Sequence, residues 1–282
     1  MTTMSDSISE NDKAAFLETL KGLRIMDDVF MNEFVKRDRE NGYQALNVIL
    51  KAFTGLDLKV RTAKVQSILT GAGGRTVWLD IEAEDEDGRI YDLEMQRSTG
   101  KDLPARALLH LSTIVTNRVH KGDSFDKVPE VWIIFVTETD FQGDGKASHE
   151  YQFRDEEKML LGAPAHIVIA NGEYKGTDTL QGRVIHDIMN ADPQEMLVPE
   201  IQKPVADLKE TEKGQREMTE ALEQLVDKGK NAGALEAIEK VVRNMTADGA
   251  PFEQIVKYTG ASADEVQKII DRISTDSQIQ LS

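Results

Sequence analysis

The sequence of 282 residues contains no cysteine, which excludes disulfides, thiolate zinc sites and cysteine nucleophiles and suits a reducing cytoplasm. No stretch approaches the ~18 consecutive apolar residues that a membrane span needs, and residues 1–12 lack the charged-then-apolar pattern of a signal peptide. We therefore expect a soluble, cytoplasmic protein that is not exported by the usual route. Zinc-ligand spacing is also missing among the five histidines, which are His110, His120, His149, His166 and His186.

The chain also lacks the basic excess that usually accompanies nucleic-acid binding, because its net charge is −16 and its pI is near 4.8. The charge is nevertheless unevenly distributed. Residues 80–94 contain eight acids and one base, whereas residues 97–121 contain five bases and one acid. An acidic pocket beside a basic stretch suits a metal site next to a surface that binds nucleic-acid phosphates. Such alternation of charge also arises by chance in a chain this charged.

Hydrophobic periodicity predicts an α/β fold in which residues from about 56 to 170 form a mixed sheet flanked by helices. The run 130–136 is almost continuously apolar, which is typical of a central strand covered on both faces. One or two helices are expected between residue 27 and Gly55, and Gly122 is expected to cap a later helix. The other predicted elements are strands at 58–69, 75–83, 90–96 and 166–170 and a helix at 103–120.

Composition divides the chain into four segments. Ser262 and Glu265 have the spacing of a helix N-terminal capping box, so the last segment resembles a helix-turn-helix. Its second helix has few bases, with Lys268 and Arg272 against three acids, so we expect protein contact or homo-oligomerisation rather than DNA reading. The four segments are a polar lead at 1–20, a large domain at 21–200, a charged helical linker at 201–233 and a small helical tail at 234–282.

Two adjacent predicted strands each carry acids on alternate positions. A two-residue turn between them would place Asp80 opposite Met95 and mix charged with apolar faces. A three-residue loop, residues 86–88 with a left-handed Gly88, keeps the faces consistent. This register pairs Asp80 with Glu94, and it also pairs Glu82 with Asp92 and Trp78 with Gln96.

Directly opposed carboxylates repel one another unless something neutralises them. A Mg²⁺ ion, or Mn²⁺ in its place, is the simplest partner for Asp80 and Glu94, because both ions prefer hard oxygen ligands. Gln96, two residues beyond the glutamate, could orient an attacking water. The alternative is an acidic hairpin face that is only solvated and hydrogen-bonded.

The chain resembles the PD-(D/E)xK nuclease family transposases, relatives of the recombination-promoting nucleases, over roughly residues 24–225. The segments that carry the resemblance include 27–31, 79–88, 94–97, 131–138, 170–174, 186–187, 192–193 and 209–214. The resemblance implies a restriction-endonuclease-like fold, DNA as partner and phosphodiester hydrolysis as activity. It also implies that Asp80 and Glu94 bind the metal, with Gln96 where the wider superfamily usually has lysine. Glutamine cannot supply a charge or a proton.

Several other residues could have either a functional or a structural role. Arg106 and Lys121, on the helix after the hairpin, could contact DNA phosphates. Asp28 could be a further metal ligand, but the pair Asp27 and Asp28 is more typical of a helix N-cap. His110 and His120 are expected to be surface or capping groups, and the glycine-rich residues 70–74 to be a simple turn.

Two functions remain open from sequence alone. The first is a metal-dependent DNA endonuclease, favoured by the intact Asp80 and Glu94. The second is a catalytically degraded member that acts as a DNA-binding or protein-interaction module, favoured by Gln96 and the acidic balance.

Overall fold

The computed structural model of the protein describes residues 10–71, 74–97, 100–247, 251–259 and 261–279. The chain divides into two compact units, Met1–Ala221 and Leu222–Ser282. Within the described residues, every helix is too short or too polar to cross a membrane.

The first unit is built on one six-stranded mixed sheet with the order β1–β2–β3–β4–β6–β5. Neighbours β3, β4 and β6 run parallel, and the other neighbouring pairs run antiparallel. All seven residues of β4 are buried, so the predicted central strand is confirmed. The strands are β1 (Val60–Thr70), β2 (Thr76–Asp85), β3 (Ile90–Gln96), β4 (Val131–Thr137), β5 (Ser148–Tyr151) and β6 (Ala165–Asn171).

Helices cover both faces of this sheet, as the sequence predicted. On one face, α2, α3, α5 and α6 enclose what we call the first core; on the other face, α4 encloses the second core. The helices are α1 (Glu10–Gly22), α2 (Asp28–Glu40), α3 (Gln44–Thr54), α4 (Leu103–Arg118), α5 (Leu180–Met189), α6 (Pro199–Glu210), α7 (Glu212–Ala247), α8 (Phe252–Thr259) and α9 (Ala263–Ile279). This is a restriction-endonuclease-like α/β arrangement.

Three local expectations change. From residue 10 onward the expected polar lead at 1–20 is part of α1, which buries Leu20 in the first core; residues 1–9 lie outside the described part. The expected linker at 201–233 is not wholly solvated, because Leu208 and Met218 are buried in the first core. Helix α4 ends at Arg118, and its C-cap residue Val119 has extended backbone. Gly122 lies in the following turn with φ of +97° and is therefore not the cap.

The second unit contains α7 from Leu222 onward and the pair α8 and α9. The predicted capping box is present, since the amide of Glu265 donates to Ser262 Oγ and the amide of Ser262 donates to Glu265 Oε2. Ile255, Val266 and Ile269 are buried together, as the sequence predicted, and Val242 of α7 joins them.

Candidate metal centre

The β2–β3 hairpin has the register that face consistency predicted. Its loop consists of residues 86–88, Gly88 has φ of +82°, and the Asp85 amide donates to the Arg89 carbonyl across the loop. Glu82 lies opposite Asp92 in the antiparallel ladder. The acids of the two strands are therefore neighbours.

Beyond Ile81 the backbone ladder between these strands stops, and two carboxylates take over its hydrogen bonds. The Asp80 amide donates to Glu94 Oε1 at 2.8 Å, and the Met95 amide donates to Asp80 Oδ2 at 2.9 Å. Asp80 and Glu94 are thus neighbours, and backbone amides fix the orientation of both carboxylates.

The ladder stops because the strand changes face at Asp80. Leu79 packs in the second core, whereas Ile81, two residues later, packs in the first core; a regular strand would place both on one face. Gln66, which lies opposite Asp80 on β1, has φ of +51°. Both strands therefore exchange their inward and outward faces at the same point. As a result Trp78 is 63% exposed and lies outside the β2–β3 ladder, and its predicted pairing with Gln96 is wrong.

Asp92, Glu94 and His110 converge beneath this point, with one potential ligand atom from each lying within 4.8 Å of the others. His110 Nδ1 lies 2.8 Å from Asp92 Oδ2 and 3.8 Å from Glu94 Oε1. All three side chains are buried. The expectation that His110 is a surface group is wrong. Its spacing from Ala107 and Ile114 places it in the buried stripe of α4, and that spacing was the signal in the sequence.

Burial and mutual repulsion disfavour the charged forms of these acids. Burial, reinforced by the neighbouring carboxylates, raises the pKa of Glu94 to about 10, and burial raises that of Asp92 to about 8. Burial also raises the pKa of Asp80, although the Met95 amide opposes the shift. Burial lowers the pKa of His110, although the charges of Glu94 and Asp80 oppose the shift. The cluster carries an electrostatic cost that a cation would relieve.

The donor set fits a divalent cation. Asp92 Oδ1 is buried without a hydrogen-bond partner among the described residues, and an unsatisfied buried acceptor is costly unless something binds it. Carboxylates of Asp80, Asp92 and Glu94 offer hard oxygens, and His110 offers an imidazole nitrogen. This combination is compatible with Mg²⁺ or Mn²⁺.

Arg106 and Gln96 meet at the edge of the cluster. The Arg106 guanidinium donates to Gln96 Oε1 and lies over the Phe135 ring, 5.6 Å from its centroid. Arg106 is on the same face of α4 as His110, four residues along the chain. Lys121 is instead exposed beyond the other end of α4, at least roughly 18 Å along the helix axis from Arg106 at 1.5 Å per residue. The structure brings Arg106 to the cluster and leaves Lys121 away from it.

The N-terminus of α2 also approaches the cluster. Asp27 occupies the cap position as expected, but its carboxylate accepts from the Arg24 amide at 2.7 Å and pairs with Arg97, so it makes no side-chain cap bond. Asp28 is exposed, and its negative charge contributes to the raised pKa of Asp80. Asp28 therefore belongs to the electrostatic surroundings of the cluster.

The fold and these acids define the class of protein. The family model of the PD-(D/E)XK nuclease family transposases matches residues 32–162, a segment that runs from α2 past β5 and contains the whole cluster. Over these residues the chain is similar to that family.

A second comparison adds a short similarity. The chain is 35% identical over 89 residues to a polyribonucleotide nucleotidyltransferase of Staphylococcus saprophyticus, which corresponds to 28% of this chain and 12% of that protein. The chain thus spans about an eighth of that relative's length. No solved structure matches the chain.

Proposed function

We propose that the protein is a divalent-metal-dependent DNA endonuclease of the transposase or recombination-promoting nuclease type, with Asp80 and Glu94 as metal ligands. The observation that carries this proposal is the reciprocal pair of amide-to-carboxylate hydrogen bonds between β2 and β3. It holds both carboxylates at fixed positions beside the unsatisfied Asp92 Oδ1. The match to the family model supports nuclease chemistry in general, and the choice of Mg²⁺, with Mn²⁺ as a substitute, rests on the oxygen donors.

The side chains around the acids have separable tasks in this proposal. A divalent cation, when bound, would activate water and stabilise charge developing on phosphorus. Asp80, Glu94 and Asp92 would hold it, and His110 would orient Asp92 through their 2.8 Å contact. Arg106 fixes the amide of Gln96, so that Gln96 can position the water by hydrogen bonding. Arg106 also places a positive charge where a substrate phosphate would need one.

The alternative is a catalytically degraded member that binds DNA or protein without cleaving. Gln96 favours this alternative, because glutamine provides neither the charge nor the proton of the usual lysine. The net charge of −16 also favours it. The two candidates differ in whether divalent metal produces cleavage.

The decisive experiment is cleavage of supercoiled plasmid by the full chain with Mg²⁺, with Mn²⁺ and with EDTA. We expect nicking or linearisation only with metal. Asp80→Asn and Glu94→Gln should abolish it, because each keeps an oxygen for its backbone amide but loses the charge. Glu157→Gln is the matched control, since Glu157 is an exposed acid outside the cluster, and it should cleave like the wild type.

Two outcomes would contradict this proposal. Equal cleavage in EDTA, or wild-type cleavage by Asp80→Asn and Glu94→Gln, would remove the cluster from the chemistry. Absence of cleavage with every divalent metal, together with persistent DNA or partner binding, would establish the degraded alternative.

We also propose that the tail acts in protein contact. The second unit has a small apolar core of its own, and the described part of α9 offers Lys268, which is already paired with Asp264. This charge pattern suits a homo-oligomer better than a DNA groove. Light scattering of the full chain would measure the oligomeric state, and a monomer at all concentrations would contradict a self-association role.

A further inference from the structure

The outer part of the β1–β2 hairpin extends past its neighbour β3. The β2–β3 ladder covers only Ile81 to Glu84 of β2, whereas β1 and β2 remain paired as far as Thr70 and Thr76. We call the described residues 66–71 and 74–80 the distal arm. It begins at Asp80, so it is continuous with the candidate metal centre.

One face of the distal arm is anchored to the domain. Leu69, Val77 and Leu79 pack in the second core under α4, and the Asn117 side chain of α4 donates to the Thr70 carbonyl at 3.0 Å. Helix α4 and the second core therefore support this face of the arm.

The opposite face of the distal arm consists of exposed residues in the part of the chain that the structure describes. Ile68 and Trp78 are cross-strand partners, and they are 53% and 63% exposed. Trp78 is two residues from Asp80, or roughly 7 Å along the strand. An exposed tryptophan at this position offers a flat apolar surface to a substrate.

The charge of this segment indicates what kind of substrate would fit. Residues 58–79 contain four bases and no acid, in a chain whose net charge is −16. Lys59 and Arg61 pair with acids of the hairpin. Lys64 is the cross-strand partner of Glu82, whose carboxylate pairs with Arg118 of α4, so Lys64 lies on the α4 side of the sheet and not with Trp78. Arg75, directly before β2 and three residues from Trp78, is exposed and has no ion-pair partner among the described residues. A free guanidinium at the outer end of the arm, near an exposed indole in sequence, suits a polyanion that carries aromatic groups.

We propose that the Ile68–Trp78 face binds single-stranded DNA by stacking Trp78 on an unpaired base, with Arg75 at the outer end of the arm contacting a phosphate. The strand would then continue to Asp80, so this inference rests on the proposed function and specifies its substrate as DNA with unpaired nucleotides. An unpaired base exposes its ring face, whereas paired bases inside a duplex present mainly their edges and the phosphate backbone. The indole of Trp78 and the guanidinium of Arg75 match the first kind of surface.

The test measures binding in EDTA, where the proposed cleavage cannot occur. Fluorescence anisotropy would compare a labelled single-stranded oligonucleotide with the duplex of the same sequence. We expect tighter binding of the single strand, and Trp78→Ala should weaken it by about 5- to 150-fold, the range for loss of one stacked base. Trp78→Phe should retain part of the affinity. Phe125→Ala is the matched control, because Phe125 is an exposed aromatic outside the arm.

Intrinsic fluorescence gives a second and more direct readout. The chain has two tryptophans, and the other one, Trp132, is only 4% exposed. Single-stranded DNA should quench the wild-type emission, and Trp78→Phe should lose most of this quenching. Arg75→Gln should reduce the dependence of log affinity on log salt by about 0.7, the value for one phosphate contact on a single strand.

Equal binding by Trp78→Ala and wild type, or equal affinity for duplex and single strand, would overturn the inference. So would a wild-type protein that binds no single-stranded DNA. Failure of the proposed function looks different: there, no metal supports cleavage, while Trp78-dependent binding of single strands persists.

Discussion

At the residue scale, Gln96 and Arg106 share one hydrogen bond at the edge of the acidic cluster. If Gln96 positions water only while Arg106 holds its amide, removal of either side chain should slow cleavage nearly as much as removal of both. We expect cleavage rates of Gln96→Ala and Arg106→Ala that are each reduced at least tenfold. The double variant should be only slightly slower, which is the signature of coupled residues.

Single-turnover cleavage rates with Mg²⁺ measure this coupling. Additive losses in the double variant would show that the two side chains act separately. Lys121→Ala, a basic residue beyond the other end of the same helix, is the control and should leave the rate unchanged.

At the scale of elements, most of the sheet could be predicted because each strand carries its own signal. The apolar run of β4 and the alternating acids of the hairpin depend on local pattern, and both were placed correctly. β5 was not predicted, since its sequence Ser-His-Glu-Tyr has neither an apolar run nor alternation. The change of face at Asp80 was not predictable either, because it depends on the positive φ of Gln66 on another strand.

The candidate metal centre, like the sheet, could be predicted only where local sequence pattern determines it. Asp80 and Glu94 follow from the hairpin register, which local alternation determines. Asp92 was placed on the correct face, but its unsatisfied oxygen appears only after α4 has covered it. The contact with His110 joins residues 18 positions apart through the packing of a helix on a sheet, and hydrophobic pattern alone does not specify a polar contact of this kind.

The β2–β3 hairpin should also make metal-free stability depend on pH. Burial raises the pKa of Asp92 to about 8 and that of Glu94 to about 10, so the folded protein keeps protons that the unfolded chain loses above about pH 4. This contribution to stability is fully present below about pH 4. It is lost as the pH rises toward 8 and then 10.

Thermal unfolding in EDTA between pH 5 and pH 8 measures this effect. The wild-type melting temperature should fall more steeply with pH than that of Glu94→Gln, whereas Glu157→Gln should match the wild type. Mn²⁺ should raise the wild-type melting temperature more at pH 8 than at pH 5, because metal and protons compete for the same oxygens. At ~100 times its dissociation constant a cation should add about 2.7 kcal/mol. Identical pH slopes for wild type and Glu94→Gln would contradict the burial argument.

At the scale of the whole molecule, several segments that carry the family resemblance hold the domain together. Asp187 is buried and accepts from the amides of Leu197 and Val198, which fixes the chain between α5 and α6. Gly172 packs so tightly that a Cβ there would lie 2.5 Å from the Thr137 carbonyl oxygen. These positions explain why the resemblance continues beyond the acids.

Lys209 is the strongest example of such a structural role. Its ammonium group donates to three backbone carbonyls, those of Lys21, Leu23 and Ala191, at 2.5 to 3.0 Å. It also lies 5.1 Å from the centroid of the Phe30 ring. One side chain of α6 therefore joins segments almost 190 residues apart in sequence, although the charged composition around it had suggested a solvated linker.

Lys209→Met should destabilise the first unit by about 2–4 kcal/mol, because it retains the aliphatic packing but leaves three carbonyls without their donor and removes the cation–π contact. Urea unfolding of the full chain measures this loss. Lys203→Met, an exposed lysine on the same helix, is the matched control and should change stability by less than about 0.5 kcal/mol. Equal midpoints for the two variants would show that water satisfies those carbonyls and that Lys209 does not hold α1 to α6.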